Sequence, residues 1–312
     1  MTPKVKGLDE ENPRRRRITG PLFAAPTPFD ANGEIHLAAY CDFLAFVEAR
    51  GVEGVVVNGT TGEFPSLDAD ERRTLYTTAR ANFSGAIVNN ISSANAREAN
   101  ALARHSSDAD ALLILPPYYF ANVSDAGVID FFREALAGVE TPVFLYNFPR
   151  HVKLVLTPAL VETILIACPM IIGVKDSSGD LDVASAFKKL AGVRQVFVGK
   201  DNKALAALDA GLDGSITGAG NPFPEFLVGI RRAWASGDTA LVQRLQQEFD
   251  LWNAFRAAHK FDEPALVKAA LARRLPGYPA QVRPPLRALD AQGNAALDDI
   301  LQRLMDSGRL VV

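Results

Sequence analysis

Eight short apolar segments, each followed by a stretch long enough for a helix, constrain the fold more than any other sequence feature. The segments are continuously apolar rather than alternating, which is typical of parallel strands covered on both faces. Eight such units within about 220 residues predict an α/β fold, a (β/α)8 TIM barrel rather than an open sheet. The predicted strands start near Leu22 and continue at residues 55–57, 86–91, 111–115, 142–146, 171–175, 196–199 and 214–217. Helices are predicted at residues 36–50, 69–82, 94–105, 126–137, 157–166, 183–190, 203–210 and 224–235.

The alternative to a barrel is an open, doubly wound sheet that binds a dinucleotide. Such a sheet needs a glycine-rich fingerprint directly after its first strand. The Gly-x-Gly of this chain follows the last predicted strand, at Gly218-Ala219-Gly220, and Asn221 with the residues after it supplies no third glycine. The sequence therefore excludes a dinucleotide-binding fold.

The ends of the chain lie outside the predicted repeat. Residues 1–17 are polar, end in the run Arg14-Arg15-Arg16-Arg17 and predict a flexible, solvated arm. Residues 18–235 predict the catalytic barrel, and residues 236–312 predict a helical C-terminal extension packed on it, without catalytic side chains of its own. Helices in the extension are predicted at residues 239–258, 263–273 and 295–305, interrupted by an extended linker at 283–286.

Composition narrows the class of protein. The net charge of the 312-residue chain is −3, which gives no reason to expect nucleic acid or an acidic membrane as a partner. The N-terminus carries no apolar signal region and no apolar run approaches the length that spans a bilayer, so a cytoplasmic location is predicted. Cys41 and Cys168 lie far apart and match no metal-ligand spacing.

Lys175 closes an apolar run that begins at Met170 and forms the sixth predicted strand. Active-site residues of barrels come from the C-terminal ends of the strands, where this lysine lies. A lysine at the mouth of an apolar core can act as a nucleophilic amine and form a Schiff base with a ketone. The alternative is a strand terminus that reaches out to solvent.

Other strand ends carry groups that suit the same chemistry. The turn Gly59-Thr60-Thr61-Gly62 offers hydroxyl and backbone N–H donors for a carboxylate, although it is equally consistent with a plain tight turn. Tyr146 ends the fifth strand and can act as a general acid or base, the alternative being a hydrogen-bonded core tyrosine. Together these groups predict binding of a 2-keto acid, an imine at its C2, and making or breaking of its C3–C4 bond.

Histidines are too few and too scattered for a metal-dependent mechanism. Of His36, His105, His151 and His259, only His151 lies just beyond a predicted strand end. A metal-dependent aldolase needs a cluster of ligands at these positions. We therefore predict that neither a metal nor an organic cofactor is required.

Four motifs resemble the class I pyruvate-type aldolase superfamily, which includes dihydrodipicolinate synthase, N-acetylneuraminate lyase and 2-keto-3-deoxygluconate aldolase. The similarity covers roughly residues 18–305. The motifs are Gly59-Thr60-Thr61-Gly62-Glu63, Pro117-Tyr118-Tyr119, Tyr146-Asn147-x-Pro149 and Gly173-x-Lys175-Asp176.

The resemblance implies a role for each matching residue. Lys175 forms the Schiff base with pyruvate or a longer 2-keto acid, and Tyr146 transfers protons. Thr60 and Thr61 hold the carboxylate, with Thr60 also in the proton relay. Tyr119 matches a catalytic tyrosine that enters the site of the neighbouring subunit, which implies a homodimer or homotetramer. Ile216 matches a residue whose backbone faces the lysine.

The loop after the fifth strand bears on the substrate. Dipicolinate synthases carry an arginine two residues after the strand-five proline, whereas here His151 occupies that place and Arg150 precedes it. With Gly59 and Ser177, these two residues are predicted to bind substrate. Tyr146-Asn147-Phe148-Pro149 is closer to the keto-deoxy sugar-acid aldolases.

The predicted function is a lyase that cleaves a 2-keto-3-deoxy sugar acid, such as 2-keto-3-deoxygluconate, to pyruvate and an aldehyde. Dihydrodipicolinate synthase and a keto-deoxy sugar-acid dehydratase are the alternatives among enzymes of this superfamily. A barrel that binds 2-keto acids without catalysis is a more distant one.

Overall fold

The computed structural model describes residues 15–120 and 122–306 and contains an eight-stranded parallel barrel. The strand order β7-β6-β5-β4-β3-β2-β1-β8 follows the chain, with β8 returning beside β1, so the predicted TIM barrel is confirmed. The strands are β1 Leu22–Ala24, β2 Gly54–Val57, β3 Ala86–Asn90, β4 Ala111–Ile114, β5 Val143–Asn147, β6 Ile171–Asp176, β7 Gln195–Val198 and β8 Ile216–Thr217.

Helices separate the strands and continue beyond the barrel. They are α1 Leu37–Ala49, α2 Ala69–Asn82, α3 Ala96–His105, α4 Asp125–Ala135, α5 Pro149–Val152, α6 Pro158–Ala167, α7 Leu181–Lys188, α8 Ala204–Asp209, α9 Pro224–Ser236, α10 Thr239–His259, α11 Glu263–Arg274 and α12 Ala291–Asp306. Short 3-10 turns occur at Phe64–Ser66 and Asp201–Lys203. The four-residue helix α5 was not predicted, because a single turn shows no apolar periodicity.

Local signals set the ends of the first two helices. Asp68 and Glu71 form a reciprocal capping box at the start of α2, with N–H to carboxylate distances of 2.8 and 2.9 Å. Gly51 follows α1 with φ of 79°, a left-handed conformation that favours glycine. Both features match the start and stop signals in the sequence.

The barrel buries two apolar layers. One lies between the strands and the surrounding helices, and the other fills the barrel interior. In the interior, the rings of Phe144 on β5 and Phe197 on β7 pack edge to face with centroids 5.6 Å apart. Because Phe197 pairs in register with Lys175, this aromatic pair forms the floor beneath the C-terminal mouth of the barrel.

Gly173 on β6 makes room for this floor. A Cβ atom at this position would lie 2.5 Å from Cε1 of Phe144 and would also meet the carbonyl oxygen of Gln195. We expect Gly173→Ala to lower the free energy of unfolding by about 1–3 kcal/mol through overpacking, measured by urea denaturation. The control Gly127→Ala lies in the first turn of α4, where a Cβ comes no closer than 3.3 Å to its neighbours. An equal effect of the two substitutions would contradict this account.

The C-terminal helices pack on the barrel. Trp252 of α10 is fully buried, stacks edge-on to Phe223 with ring centroids 4.9 Å apart, and donates from Nε1 to the carbonyl of Ala219 at 2.9 Å. The predicted linker at 283–286 is not extended: Pro284 and Pro285 form a turn. The division of the chain at residues 17 and 235 stays a prediction, and residues 1–14 of the predicted arm lie outside the described residues.

Two arginines of the run, Arg15 and Arg16, form hydrogen bonds with residues next to the barrel strands. Arg16 donates its backbone N–H to Asp110, and the Arg15 guanidinium lies 3.5 Å from the Thr141 hydroxyl. Across residues 15–120 and 122–306, no helix is both long and apolar enough to cross a bilayer.

Candidate active site

Lys175 and Tyr146 lie side by side at the C-terminal ends of β6 and β5. The two residues are paired in register, and their side chains are buried, 5% and 3% exposed. The Lys175 Nζ lies over the Tyr146 ring, 4.1 Å from its centroid. Lys175 is therefore not a solvated strand terminus: its amine is held inside the barrel mouth against an aromatic face.

Gly199, directly after β7, provides space beside the lysine. A Cβ at this position would overlap the Ser177 Oγ and would lie 3.3 Å from the Cε of Lys175. Ser177 itself is buried and donates its backbone N–H to the Asn147 carbonyl at 2.8 Å. The strand prediction ended at Gly199 but assigned it no role; a glycine at a barrel-strand end is the signal that could have found it.

A buried polar network fixes the loops behind Lys175. The Asp176 carboxylate accepts hydrogen bonds from Asn147 Nδ2 and Ser178 Oγ, both at 2.6 Å. Burial raises the pKa of Asp176, and these two donors oppose the rise. Asn147 Oδ1 in turn accepts from the backbone of Leu156 at 3.2 Å. The network ties the end of β5 to the end of β6 and thereby holds the Tyr146–Lys175 register.

The turn after β2 lies on the same side of the barrel. Gly62 N donates to the Gly59 carbonyl and Glu63 N donates to the Thr60 carbonyl, both at 3.0 Å. These two N–H groups therefore donate within the turn rather than to a bound carboxylate, which the sequence alone did not show. Thr61 is buried, whereas Thr60 is partly exposed.

Thr61 also contacts the end of β8. A Cβ on Gly218 would overlap the Thr61 Oγ1, so the turn and the β8 loop touch through a glycine. Ile216 on β8 is buried in the barrel interior, in the apolar cluster that includes Tyr146. The structure thus places Gly59, Thr60, Thr61 and Ile216 around the mouth that holds the lysine.

Arg150 and His151 lie on the rim, on helix α5. The Phe148 ring stacks on Tyr146 with centroids 5.3 Å apart and on His151 with centroids 3.9 Å apart, so one aromatic column runs from the lysine to the rim. Partial burial, followed by the charge of Arg150, lowers the pKa of His151, and its ring is therefore neutral at pH 7. Arg150 is exposed to solvent.

Tyr119 lies apart from the other predicted site residues. It is 91% exposed, has φ of 82°, and packs edge-on to Phe120, itself 64% exposed. The preceding Tyr118 points the other way: it is half-buried and packs edge-on to Phe64, and burial raises its pKa. Within one chain, Tyr119 is not brought together with Lys175 and Tyr146.

The C-terminal extension reaches the mouth of the barrel; that it carries no catalytic side chain stays a prediction. Glu263, the first residue of α11, lies against Gly218: a Cβ there would be 2.6 Å from the Glu263 Oε1. Its other carboxylate oxygen pairs with Arg256 of α10 at 2.6 Å. Lys268, also on α11, forms an ion pair with Glu63. The sequence contains one sign that Lys268 is buried: it is the lysine within the otherwise apolar stretch 265–271.

Comparisons with known proteins agree with this architecture. The profile of the dihydrodipicolinate synthetase family matches residues 17–304. A 2-dehydro-3-deoxy-D-gluconate/2-dehydro-3-deoxy-phosphogluconate aldolase of Thermoproteus tenax is 33% identical, over 85% of each chain. The putative 2-dehydro-3-deoxy-D-gluconate aldolase YagE of Escherichia coli K12 is 30% identical, over 94% of this chain and 99% of YagE. A 4-hydroxy-tetrahydrodipicolinate synthase of Hyphomonas neptunium is 32% identical, over 89% and 96%.

Solved structures extend the same likeness to three dimensions. The crystal structure of E. coli YagE in complex with pyruvate superposes with a TM-score of 0.85 at 29% identity, covering 92% of this chain and 99% of YagE. The crystal structure of KD(P)GA from T. tenax superposes with a TM-score of 0.82 at 30% identity, over the same shares of the two chains. The chain belongs to the dihydrodipicolinate synthetase family.

Proposed function

We propose that this chain, a pyruvate-type lyase by its family, is a class I aldolase of 2-keto-3-deoxy sugar acids such as 2-keto-3-deoxygluconate. The observation that carries the proposal is the buried amine of Lys175, 4.1 Å from the Tyr146 ring centroid at the mouth of the barrel. The names of the T. tenax and E. coli relatives support this substrate class. The products are pyruvate and an aldehyde.

Lys175 is the nucleophile of the proposed reaction. Its amine attacks the C2 carbonyl of the keto acid, and the carbinolamine takes up a proton and loses water to give a protonated imine. Thr60 and Thr61 hold the adjacent carboxylate from the turn after β2. The imine then accepts the electron pair of the C3–C4 bond, which neither carboxylate nor hydroxyl of the substrate could do.

Tyr146 moves the proton that bond cleavage releases. Its phenolic oxygen takes the proton of the C4 hydroxyl as C3–C4 breaks, so that C4 leaves as the carbonyl of the aldehyde. Tyr146 returns this proton to C3 of the enamine left on Lys175, and water hydrolyses the resulting iminium to pyruvate, the free amine and a proton. Imine formation releases one water molecule and hydrolysis consumes one, and the scheme requires neither a metal nor an organic cofactor.

In this proposal, residues at and near the rim of the barrel bind the sugar chain of the substrate. Arg150 and His151 lie at the opening through which the sugar chain extends, Ser177 is buried near Lys175, and the donors of all three suit the hydroxyl groups of the sugar. The neutral ring of His151, held by Phe148 in the aromatic column, can both donate and accept a hydrogen bond.

A second copy of the chain completes the site in this proposal. Tyr119 and Phe120 are large aromatic side chains exposed side by side, a pattern typical of an interface. The family resemblance assigns Tyr119 to the proton relay of the neighbouring subunit. We infer that the enzyme is a homodimer or homotetramer.

Two assays on the unmodified protein test the function. Borohydride added with pyruvate should leave a reduced pyruvyl adduct on Lys175, identified by peptide mass mapping. Incubation with 2-keto-3-deoxygluconate should release pyruvate at a rate proportional to enzyme concentration. An unmodified lysine would refute the imine mechanism.

The product distinguishes the alternatives. A dehydratase would give a product lighter by one water and no pyruvate. A dipicolinate synthase, the activity named for the H. neptunium relative, would consume pyruvate only with aspartate semialdehyde. A silent binding protein would turn over neither substrate.

A further inference from the structure

The chain buries a second lysine, Lys268, beside the turn that follows β2. Its side chain is 0% exposed and forms an ion pair with Glu63, whose side chain is 1% exposed. Lys268 belongs to α11 in the C-terminal extension, whereas Glu63 is the last residue of the 59–63 turn. Neither residue has a part in the reaction scheme above.

Three segments of the chain meet at this pair. The Lys268 Nζ also donates to the Gln281 carbonyl at 2.7 Å and lies 4.1 Å from the centroid of the Phe29 ring. The second Glu63 carboxylate oxygen accepts the backbone N–H of Arg283 at 3.1 Å. Phe29, in the loop after β1, forms an isolated bridge with Gln281. The loops after β1 and β2 are thus fastened to the C-terminal extension.

Glu63 holds its turn in an uncommon backbone shape. Its φ of 58° lies in the left-handed region, which costs a residue with a Cβ free energy unless its surroundings hold it there. The anchored side chain supplies that restraint, because both carboxylate oxygens are bound to residues of the extension. Thr60 and Thr61 lie three and two residues before Glu63 in the same turn, which the hydrogen bond from Glu63 N to the Thr60 carbonyl closes.

A gain in folding stability does not by itself explain a buried ion pair between Glu63 and Lys268. Removing both charges from water costs several kcal/mol per ion, and apolar residues of similar volume often stabilise a core as well or better. An ion pair differs from an apolar contact in that it fixes direction. What it directs here is the backbone that carries the two threonines.

We propose that Glu63 and Lys268 are positioning residues that hold the 59–63 turn in the shape in which Thr60 and Thr61 bind the carboxylate of the keto acid. The inference rests on the proposed function and adds a second requirement to it. The C-terminal extension, through Lys268, sets the affinity for pyruvate without touching the substrate.

The same arrangement makes the affinity depend on pH. Burial lowers the pKa of Lys268 to about 8, helped by the positive charge of Arg283 and opposed by Glu63. Above this pH the amine loses its charge, Glu63 loses its counter-ion, and the turn loosens. KM for the keto acid is therefore expected to rise above about pH 8 and to stay level below it.

Four other titratable groups near the pair keep their charge state in this interval. The Glu71 carboxylate, which faces Arg283 from α2, has its pKa lowered by that arginine, and the same contact raises the pKa of Arg283. The phenols of Tyr278 and Tyr40 have pKa values raised by burial and stay protonated. The titration between pH 7 and 9 within this cluster is that of Lys268.

The test compares the double variant Glu63→Gln/Lys268→Met with the wild type. The neutral pair keeps the volumes and an acceptor for the Arg283 N–H, so it removes the charge without leaving one ion unpaired. We expect about a 10- to 100-fold rise in the pyruvate concentration that half-saturates borohydride trapping on Lys175. KM for the keto acid should rise in proportion, kcat should fall by a smaller factor because Thr60 on the same turn belongs to the proton relay, and the pH dependence of KM above pH 8 should disappear.

The matched control is Lys188→Met. Lys188 pairs with Asp213 at 2.7 Å on the opposite, N-terminal face of the barrel, so its loss removes an ion pair without affecting the turn. Unchanged pyruvate saturation in the folded double variant would overturn the inference. If the double variant does not fold, the single variant Glu63→Gln, which keeps the acceptor for the Arg283 N–H, is measured instead: unchanged pyruvate saturation in it would overturn the inference. A wild-type protein that forms no adduct at all would instead refute the proposed function, and this inference with it.

Discussion

Lys175→Met is expected to abolish adduct formation and to reduce pyruvate release from 2-keto-3-deoxygluconate by at least about 10³-fold. Methionine keeps the length and apolar body of the side chain, so it can rest on the Tyr146 ring as the lysine does. It lacks the amine, and without an imine the C3–C4 electron pair has no acceptor. Intact-protein mass after borohydride treatment and a coupled pyruvate assay measure the two effects.

Peptide mapping sharpens this experiment. Among the described residues, Lys268 is a second buried lysine, so an adduct that persists in the Lys175→Met variant would be sought there first. The control Lys188→Met should react as the wild type does. Persistent trapping in the Lys175 variant would show that the nucleophile has been misassigned.

Tyr146→Phe is expected to lower kcat by about 10²- to 10⁴-fold while leaving pyruvate trapping intact. The phenylalanine ring keeps the stack on Phe148 and the contact with the Lys175 amine, so the pocket retains its shape. What is lost is the phenolic oxygen that takes the C4 hydroxyl proton. Steady-state cleavage and single-point borohydride trapping, run on the same preparation, separate the two steps.

Tyr76→Phe is the matched control for this substitution. The Tyr76 hydroxyl donates to Asp108 at 2.5 Å on the outside of the barrel, so its removal costs a hydrogen bond without reaching the mouth. If the Tyr146 variant and the control have the same kcat, a group other than Tyr146 transfers the proton.

The sequence predicted the barrel well because each strand is covered on both faces. Segments such as 55–57 and 111–114 are fully buried, so they read as uninterrupted apolar runs that stop at a turn. The residues proposed to react were visible for the same reason. A lysine and a tyrosine that end two such runs are conspicuous, and the barrel geometry requires strand ends to converge.

Features that depend on distant parts of the chain could not be predicted. Glu63 and Lys268 belong to segments with separate local patterns, and only the packing of α11 on the barrel brings them together. Helix α5, which carries Arg150 and His151 at the rim, is a single turn, so the sequence shows no apolar periodicity that could have predicted it. The opposite directions of Tyr118 and Tyr119 follow from the φ of 82° at Tyr119, which the sequence does not encode in a readable form.

The closure of the barrel has a mechanical consequence. Strands β6 and β7 pair in register at four positions, whereas β7 meets the β8 segment through the bridge between Val198 and Ser215. Separating the strands at this seam breaks fewer backbone hydrogen bonds than separating β6 from β7, so opening there costs less free energy. Gly199 and Gly218 lie at its upper end. We therefore expect local opening of the barrel to begin at this seam, beside Lys175, while the rest of the sheet stays paired.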